Sequence, residues 1–216
     1  MQSRIGAGFL ENRDGGLSAF GHDIVARMEK VGMIVDLSHC ADQTTLDALA
    51  VVTRPPIFSH TSSRALLPTC RRCKTDDALK QLAAKGGVVG IPMIRFMIRP
   101  APPVTVEHVV EHVVDHVEHM MSLIGAEHVG IGSELDVADL SNPMPKSGPP
   151  DVTNQPNFSR YGAYFAANGG AHVDGLDHPK RIFDFTEAMV RRIHSDANIR
   201  LVLGDSFARV LASTWK

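Results

Sequence analysis

Short apolar runs alternate along the chain with longer stretches whose apolar positions recur every three to four residues. Gly32-Met-Ile-Val-Asp-Leu-Ser-His39, Pro56-Ile-Phe-Ser-His60, Gly87-Val-Val-Gly-Ile-Pro-Met-Ile94 and His128-Val-Gly-Ile-Gly-Ser-Glu134 are short and rich in branched apolar residues. Each predicts a buried strand. Between them, Ala41 to Val52 keeps Leu46, Leu49 and Ala50 at helical spacing. Thr75 is placed to cap a helix over Asp76 to Lys85, with Gly86 in the position that ends it. Thr105 caps a long helix that runs to Gly125. Upstream, Leu17 to Val31 predicts the helix that precedes the first strand. Downstream, Asn142 to Asp151 is loop-like in Pro and Gly, and the chain stays irregular through Pro179. Helices are then predicted over Arg181 to Ile193, Asp196 to Leu203 with Ser195 as N-cap, and Phe207 to Thr214.

Four strands alternating with helices predict an α/β fold with a parallel sheet built from βαβ crossovers. A complete (β/α)₈ TIM barrel takes about 250 residues. Four βα units in 216 residues therefore predict half of such a barrel or a small open sheet. The sequence has no internal repeat and no clear boundary, so 1–216 is read as one domain. Charges nearly cancel, 22 Lys+Arg against 24 Asp+Glu, which leaves no basic stripe for a nucleic-acid backbone. The longest apolar runs fall far short of a membrane segment. The first residues lack the hydrophobic stretch of a signal peptide, and three cysteines cannot all pair within the chain. Both points predict a cytoplasmic location.

The eleven histidines direct attention to metal chemistry. In parallel α/β folds the functional side chains sit at the carboxyl ends of strands. Three of the predicted strands end on a group able to bind metal or move a proton. These are Asp36 and His39 in Val-Asp-Leu-Ser-His, His60 in Phe-Ser-His, and Glu134 and Asp136 in Gly-Ser-Glu-Leu-Asp. One histidine after a strand is usually a packing or capping residue. Two on neighbouring strands, with a carboxylate on a third, make a His/carboxylate metal site the better reading.

Specific motifs carry this further. Gly16-Leu-Ser-Ala-Phe-Gly, the run ending at His39, Pro56-Ile-Phe-Ser-His60, Arg71-Arg72 with Asp76-Asp77, Gly86-Gly87-Val-Val-Gly, Asp115-His116-Val-Glu-His119, His128-Val-Gly-Ile-Gly-Ser and Phe207-Ala-Arg-Val-Leu211 resemble the membrane (renal) dipeptidase family, in family order. The resemblance implies a (β/α)₈ TIM-barrel metallohydrolase with two zinc ions, of which this chain matches only the C-terminal half. It implies dipeptide hydrolysis by a metal-bound hydroxide. His39 and His60 match two zinc ligands, and Arg72, or Arg71, matches the arginine that grips the substrate carboxylate. Glu134 stands where the family carries a proton-shuttling Asp, and Asp136 matches the second Asp of that motif. The family's His-x-Asp ligand pair, its bridging Glu and a substrate-binding His precede the stretch that Met1 to Gly21 resembles. Two further readings follow: a non-catalytic remnant, and a half-barrel completed by homodimerisation that pairs two copies of His39 and His60.

Other groups read as structural. His108, His112, His116 and His119 share one helix face, alternating with Glu107, Glu111, Asp115 and Glu118, which predicts a solvated amphipathic surface. Cys70-Arg-Arg-Cys73 lacks a second pair and a strand-to-helix setting, and reads as a loop with two thiols. The sequon at Asn157 and the isolated His172-Val-Asp174 carry no weight.

Overall fold

A computed structural model describes residues 3–98, 104–134, 164, 175–176 and 178–215. The helices are α1 Ala19–Lys30, α2 Asp42–Val51, α3 Asp76–Ala84, α4 Arg95–Ile98, α5 Val106–Ile124, α6 Arg181–Arg191, α7 Asp196–Arg200 and α8 Ser206–Thr214. The strands are β1 Ile57–Phe58, β2 Val88–Ile91 and β3 Val129–Ile131. They form one parallel sheet in the order β1-β2-β3, with Phe58 opposite Val89 and Gly90 opposite Gly130. The helices and the parallel sheet agree with the α/β expectation.

Local chemistry accounts for the helix starts. Ser18, Thr75, Thr105 and Ser195 each accept from a backbone N–H three residues on, at Gly21, Ala78, His108 and Asn198, which satisfies donors that a helix start leaves unpaired. Gly86 ends α3 in the left-handed region at φ 75°. Gly87 N–H then returns to the Leu82 carbonyl at 3.0 Å, the double-bonded close expected of such an end. The last helices are joined differently from the prediction. A π-helical turn, Leu201–Asp205, links α7 to α8, and Gly204 interrupts its regular dihedrals.

The predicted strand at 32–39 is reduced to one parallel bridge, Asp36 with Ile57. Leu37 N–H donates to Ile57 O and Ile57 N–H to Val35 O, so this segment adds a fourth parallel neighbour beside β1. It leaves the ladder because the Asp36 carboxylate accepts from Ser38 N at 3.0 Å, folding the chain into a local turn. β1 is short for related reasons. Pro55 and Pro56 precede it, and the Ser59 N–H behind it also turns to the Asp36 carboxylate, at 3.2 Å.

The sheet packs against α3 and α5 through a core that includes Phe58, Leu79, Leu82, Val89, Ile91, Val113, Val117, Met120 and Val129, all fully buried. Gly90 and Gly132 sit where β1, β2 and the end of β3 approach most closely. A Cβ at either would fall on the Ser59 carbonyl oxygen, so the ends of these strands can meet only because both positions lack a side chain. Thr61 N–H bonds to Gly90 O at 2.7 Å, and Gly132 N–H to Ile91 O at 3.0 Å. The strand ends are thereby fixed relative to one another.

The histidine face of α5 differs from its expectation at one position. His116 is buried, and its Nδ1 accepts from Ser63 N–H at 3.2 Å. The turn-rich loop after β1 covers this part of the helix, which periodicity along α5 does not reveal. Among the described residues no helix is long and apolar enough to cross a membrane.

Candidate metal centre

His39 follows the bridge at Asp36, His60 follows β1, and Glu134 follows β3. All three therefore stand at carboxyl ends of parallel neighbours. Their ligand atoms lie within 4.8 Å of one another. His39 Nε2 and His60 Nε2 are 2.8 Å apart, and His60 Nε2 is 3.6 Å from Glu134 Oε1. Asp136 and the sequences at 142–151, 157–159 and 172–174 lie outside the described residues.

A hydrogen-bond network behind the cluster orients His60. The Asp36 carboxylate accepts from Ser38 N and Oγ (3.0 and 2.6 Å) and from Ser59 N and Oγ (3.2 and 2.5 Å). Burial works to raise its pKa, but these hydrogen bonds outweigh that and hold it below the usual carboxylate range. The single Ser59 hydroxyl proton goes to Asp36. Ser59 Oγ is then an acceptor for His60 Nδ1–H at 2.7 Å. That assignment makes His60 Nε2 the acceptor in its 2.8 Å contact with His39 Nε2, its lone pair turned toward the cluster. Burial, followed by the nearby Arg72 charge, lowers His39 to about 3 and His60 to about 4. Both rings are neutral near pH 7, the form that ligates metal. Burial raises Glu134, and Arg72 opposes the rise.

These residues fit a divalent ion. Zinc-type ions hold His nitrogens and carboxylate oxygens at about 2.0–2.2 Å, so two ligands of one ion lie roughly 3–4 Å apart. The cluster is near that size, its imidazoles are neutral, and one ring is oriented by a hydrogen-bonded serine and carboxylate, as ligating histidines commonly are.

Arg72 is buried, and its guanidinium donates to the carbonyls of Ser38 and, at 2.9 Å, His60. It lies over the Phe9 ring, 5.7 Å from the centroid. Two of its donors thus tie together the loops that carry the histidines. Arg71 is exposed and donates to Glu11 O at 2.5 Å. Cys70 and Cys73 are buried free thiols joined by a tight turn. A hydrogen bond from Cys73 lowers Cys70 to about 6, while burial raises Cys73.

Two contributors were not legible in sequence. Ser59, which orients His60, reads simply as a polar residue at a strand end. Lys74 reads as a loop lysine, yet it is buried, donating to Cys40 O at 2.7 Å and Thr45 Oγ1 at 2.8 Å.

Parallel strands with a His/His/carboxylate cluster at their carboxyl ends place this chain in the α/β class with a candidate metal site where such folds carry their functional groups. Residues 3–159 match the model of the membrane dipeptidase family, peptidase family M19, and the chain belongs to that family. It is 34% identical over 197 residues to Dipeptidase tcpJ of Claviceps purpurea, covering 91% of this chain and 38% of that protein. It is 42% identical over 142 residues to Dipeptidase verJ of Clonostachys rogersoniana, covering 66% of this chain and 34% of that one. A solved amidohydrolase from Pseudomonas aeruginosa superposes with a TM-score of 0.75 at 26% identity, covering 99% of this chain and 62% of its own. For dipeptidase AC, a metallo peptidase of family M19, the TM-score is 0.70 at 20% identity, with 93% and 49% covered. That last likeness concerns the fold alone. The chain spans little more than a third of the length of these two curated relatives.

Proposed function

We propose that this chain is the C-terminal half of a dipeptidase-type (β/α)₈ barrel and serves metal-dependent hydrolysis of dipeptides, with zinc as the metal. The observation that carries the reading is the meeting of His39, His60 and Glu134 at the carboxyl ends of the sheet. Family membership supports the metallohydrolase class, and the relatives' names support dipeptides as substrates.

His39 and His60 hold the ion, with His60 oriented through Ser59 and Asp36. When bound, the ion supplies Lewis acidity, which activates water and polarises the scissile carbonyl. Arg72, or Arg71, is matched by the resemblance to binding of the substrate carboxylate, a task suited to a guanidinium fork. The buried Arg72 charge beside the cluster also favours an anionic substrate end there. A carboxylate at the end of the last strand, Glu134 or Asp136 by the resemblance, carries the proton to the leaving amine.

The test is release of free amino acids from a panel of dipeptides by protein reconstituted with zinc, with His60→Ala as the control. Hydrolysis by the parent protein and its loss in the folded variant is the expected result. A folded, metal-loaded protein that cleaves no dipeptide overturns the reading.

A further inference from the structure

Away from the metal centre, Cys70 and Cys73 form a pair of buried free thiols that no step of the proposed hydrolysis uses. We propose that they are a redox-active pair, a modification site at which a small hydroperoxide oxidises Cys70 and Cys73 closes the link as an intrachain disulfide. This stands independently of the hydrolase reading and of any bound metal.

The chain turns tightly between the two residues, with Cys73 N–H donating to the Cys70 carbonyl at 3.0 Å. Residues at the ends of such a turn have Cα atoms within about 7 Å, and a disulfide spans about 4.4–6.8 Å. The side chains meet as well, since the Cys73 thiol donates to the Cys70 sulfur. Both ends of the turn are held in place. Cys70 N–H bonds to Leu67 O at 2.9 Å and Lys74 N–H to Ser62 O at 3.0 Å. The Arg64 guanidinium reaches the Cys73 carbonyl at 2.6 Å. The sulfurs therefore need only side-chain rotation to join.

The two sulfurs have different surroundings. Cys70 Sγ accepts from the Cys73 thiol and from the backbone N–H groups of Arg72 and Cys73, and it lies 3.8 Å from the Tyr164 hydroxyl. These donors favour a thiolate at Cys70 despite its burial, whereas burial keeps Cys73 protonated. Cys70 is thus the attacking sulfur and Cys73 the resolving one. With hydrogen peroxide, the Cys70 thiolate attacks one oxygen, the O–O bond breaks and hydroxide leaves, giving a sulfenic acid. The Cys73 sulfur then displaces the sulfenic hydroxyl, which departs with the Cys73 proton as water. The thiols lose two electrons and the peroxide gains them. Neither cysteine has exposed surface, but Thr69 and Arg71 on either side of Cys70 do, so the pair lies one layer beneath solvent and suits a small oxidant. Among the described residues no third His, Cys, Asp or Glu completes a metal cluster with the pair, which favours redox chemistry over metal binding there.

The experiment treats the reduced full chain with hydrogen peroxide at pH 7, then alkylates the remaining thiols and maps the peptides. Cys70 and Cys73 are expected to disappear together into one cross-linked peptide lighter by two hydrogens, and dithiothreitol to restore both. Cys40, whose pKa burial raises, is the internal comparison and is expected to react at least ~10-fold more slowly. In Cys73→Ser, shown to be folded by circular dichroism, dimedone is expected to capture a sulfenic acid at Cys70. In Cys70→Ser, capture at Cys73 is expected to be at least ~10-fold slower. Oxidation of Cys40 while Cys70 and Cys73 stay open to alkylation overturns the proposal, as does their oxidation to sulfinic acids with no cross-link. Capture at Cys73 as fast as at Cys70 overturns the assignment of roles. Should either variant misfold, the peptide map of the parent chain decides alone.

Discussion

Replacing Lys74 by Met tests whether the loop that packs against Cys40 and Thr45 stores an unfavourable charge. The Lys74 side chain is 2% exposed and lies over the Phe58 ring, with Nζ 5.2 Å from its centroid. Its hydrogen bonds go to Cys40 O and Thr45 Oγ1, neither of which carries a charge. Burial lowers its pKa from 10.5 to about 7. The unfolded chain therefore keeps the proton up to pH 10.5 while the folded chain loses it near 7. Between those values the unfolded state binds more protons, so stability rises with pH by up to about 1.4 kcal/mol per pH unit. Below pH 7 the full penalty on the folded state is about 5 kcal/mol. Met preserves the volume but gives up two hydrogen bonds worth about 1 kcal/mol each. Lys74→Met is then expected to be the more stable protein by about 3 kcal/mol at pH 6.5, with the margin falling close to zero by pH 9. Urea unfolding followed by far-ultraviolet circular dichroism at both pH values, under reducing conditions, measures the margin. The thiols titrate in both proteins and largely cancel in the comparison. A margin that does not change with pH refutes the argument.

Two further outcomes follow from the same geometry. Ser59→Ala removes the group that accepts from His60 Nδ1 and is expected to weaken zinc binding about 10–100-fold without loss of fold, as read by chelator competition; an unchanged affinity would show that the ring needs no such support. Gly90→Ala drives a Cβ onto the Ser59 carbonyl and is expected to cost at least about 2 kcal/mol. Gly15→Ala, with nothing within 4 Å of its added Cβ, is expected to lose far less in the same unfolding experiment.

The helices were legible because their starts depend on neighbours in sequence. Thr75 finds Ala78 N–H and Thr105 finds His108 N–H wherever the helix later packs. His39, His60 and Glu134 could also be named from sequence, since each ends a short apolar run. The strands were legible in place but not in length. Whether residues 32–39 stay in a ladder depends on the competition of the Asp36 carboxylate for the N–H groups of Ser38 and Ser59, and Ser59 is more than twenty residues away along the chain. Burial depended on tertiary structure for the same reason. His108, His112, His116 and His119 repeat along one face of α5, yet only the position beneath Ser63 is enclosed. Lys74 reads as an ordinary loop cation in sequence, and Arg72 is named there only by the resemblance; folding buries both and turns them onto the carbonyls of Cys40, Ser38 and His60. Residue types and local spacing determined which side chains could ligate a metal. Only the meeting of three strand ends decided that His39, His60 and Glu134 stand within one ion's reach, because such distances are set by nonlocal pairing and by Gly90 and Gly132 letting the strands close.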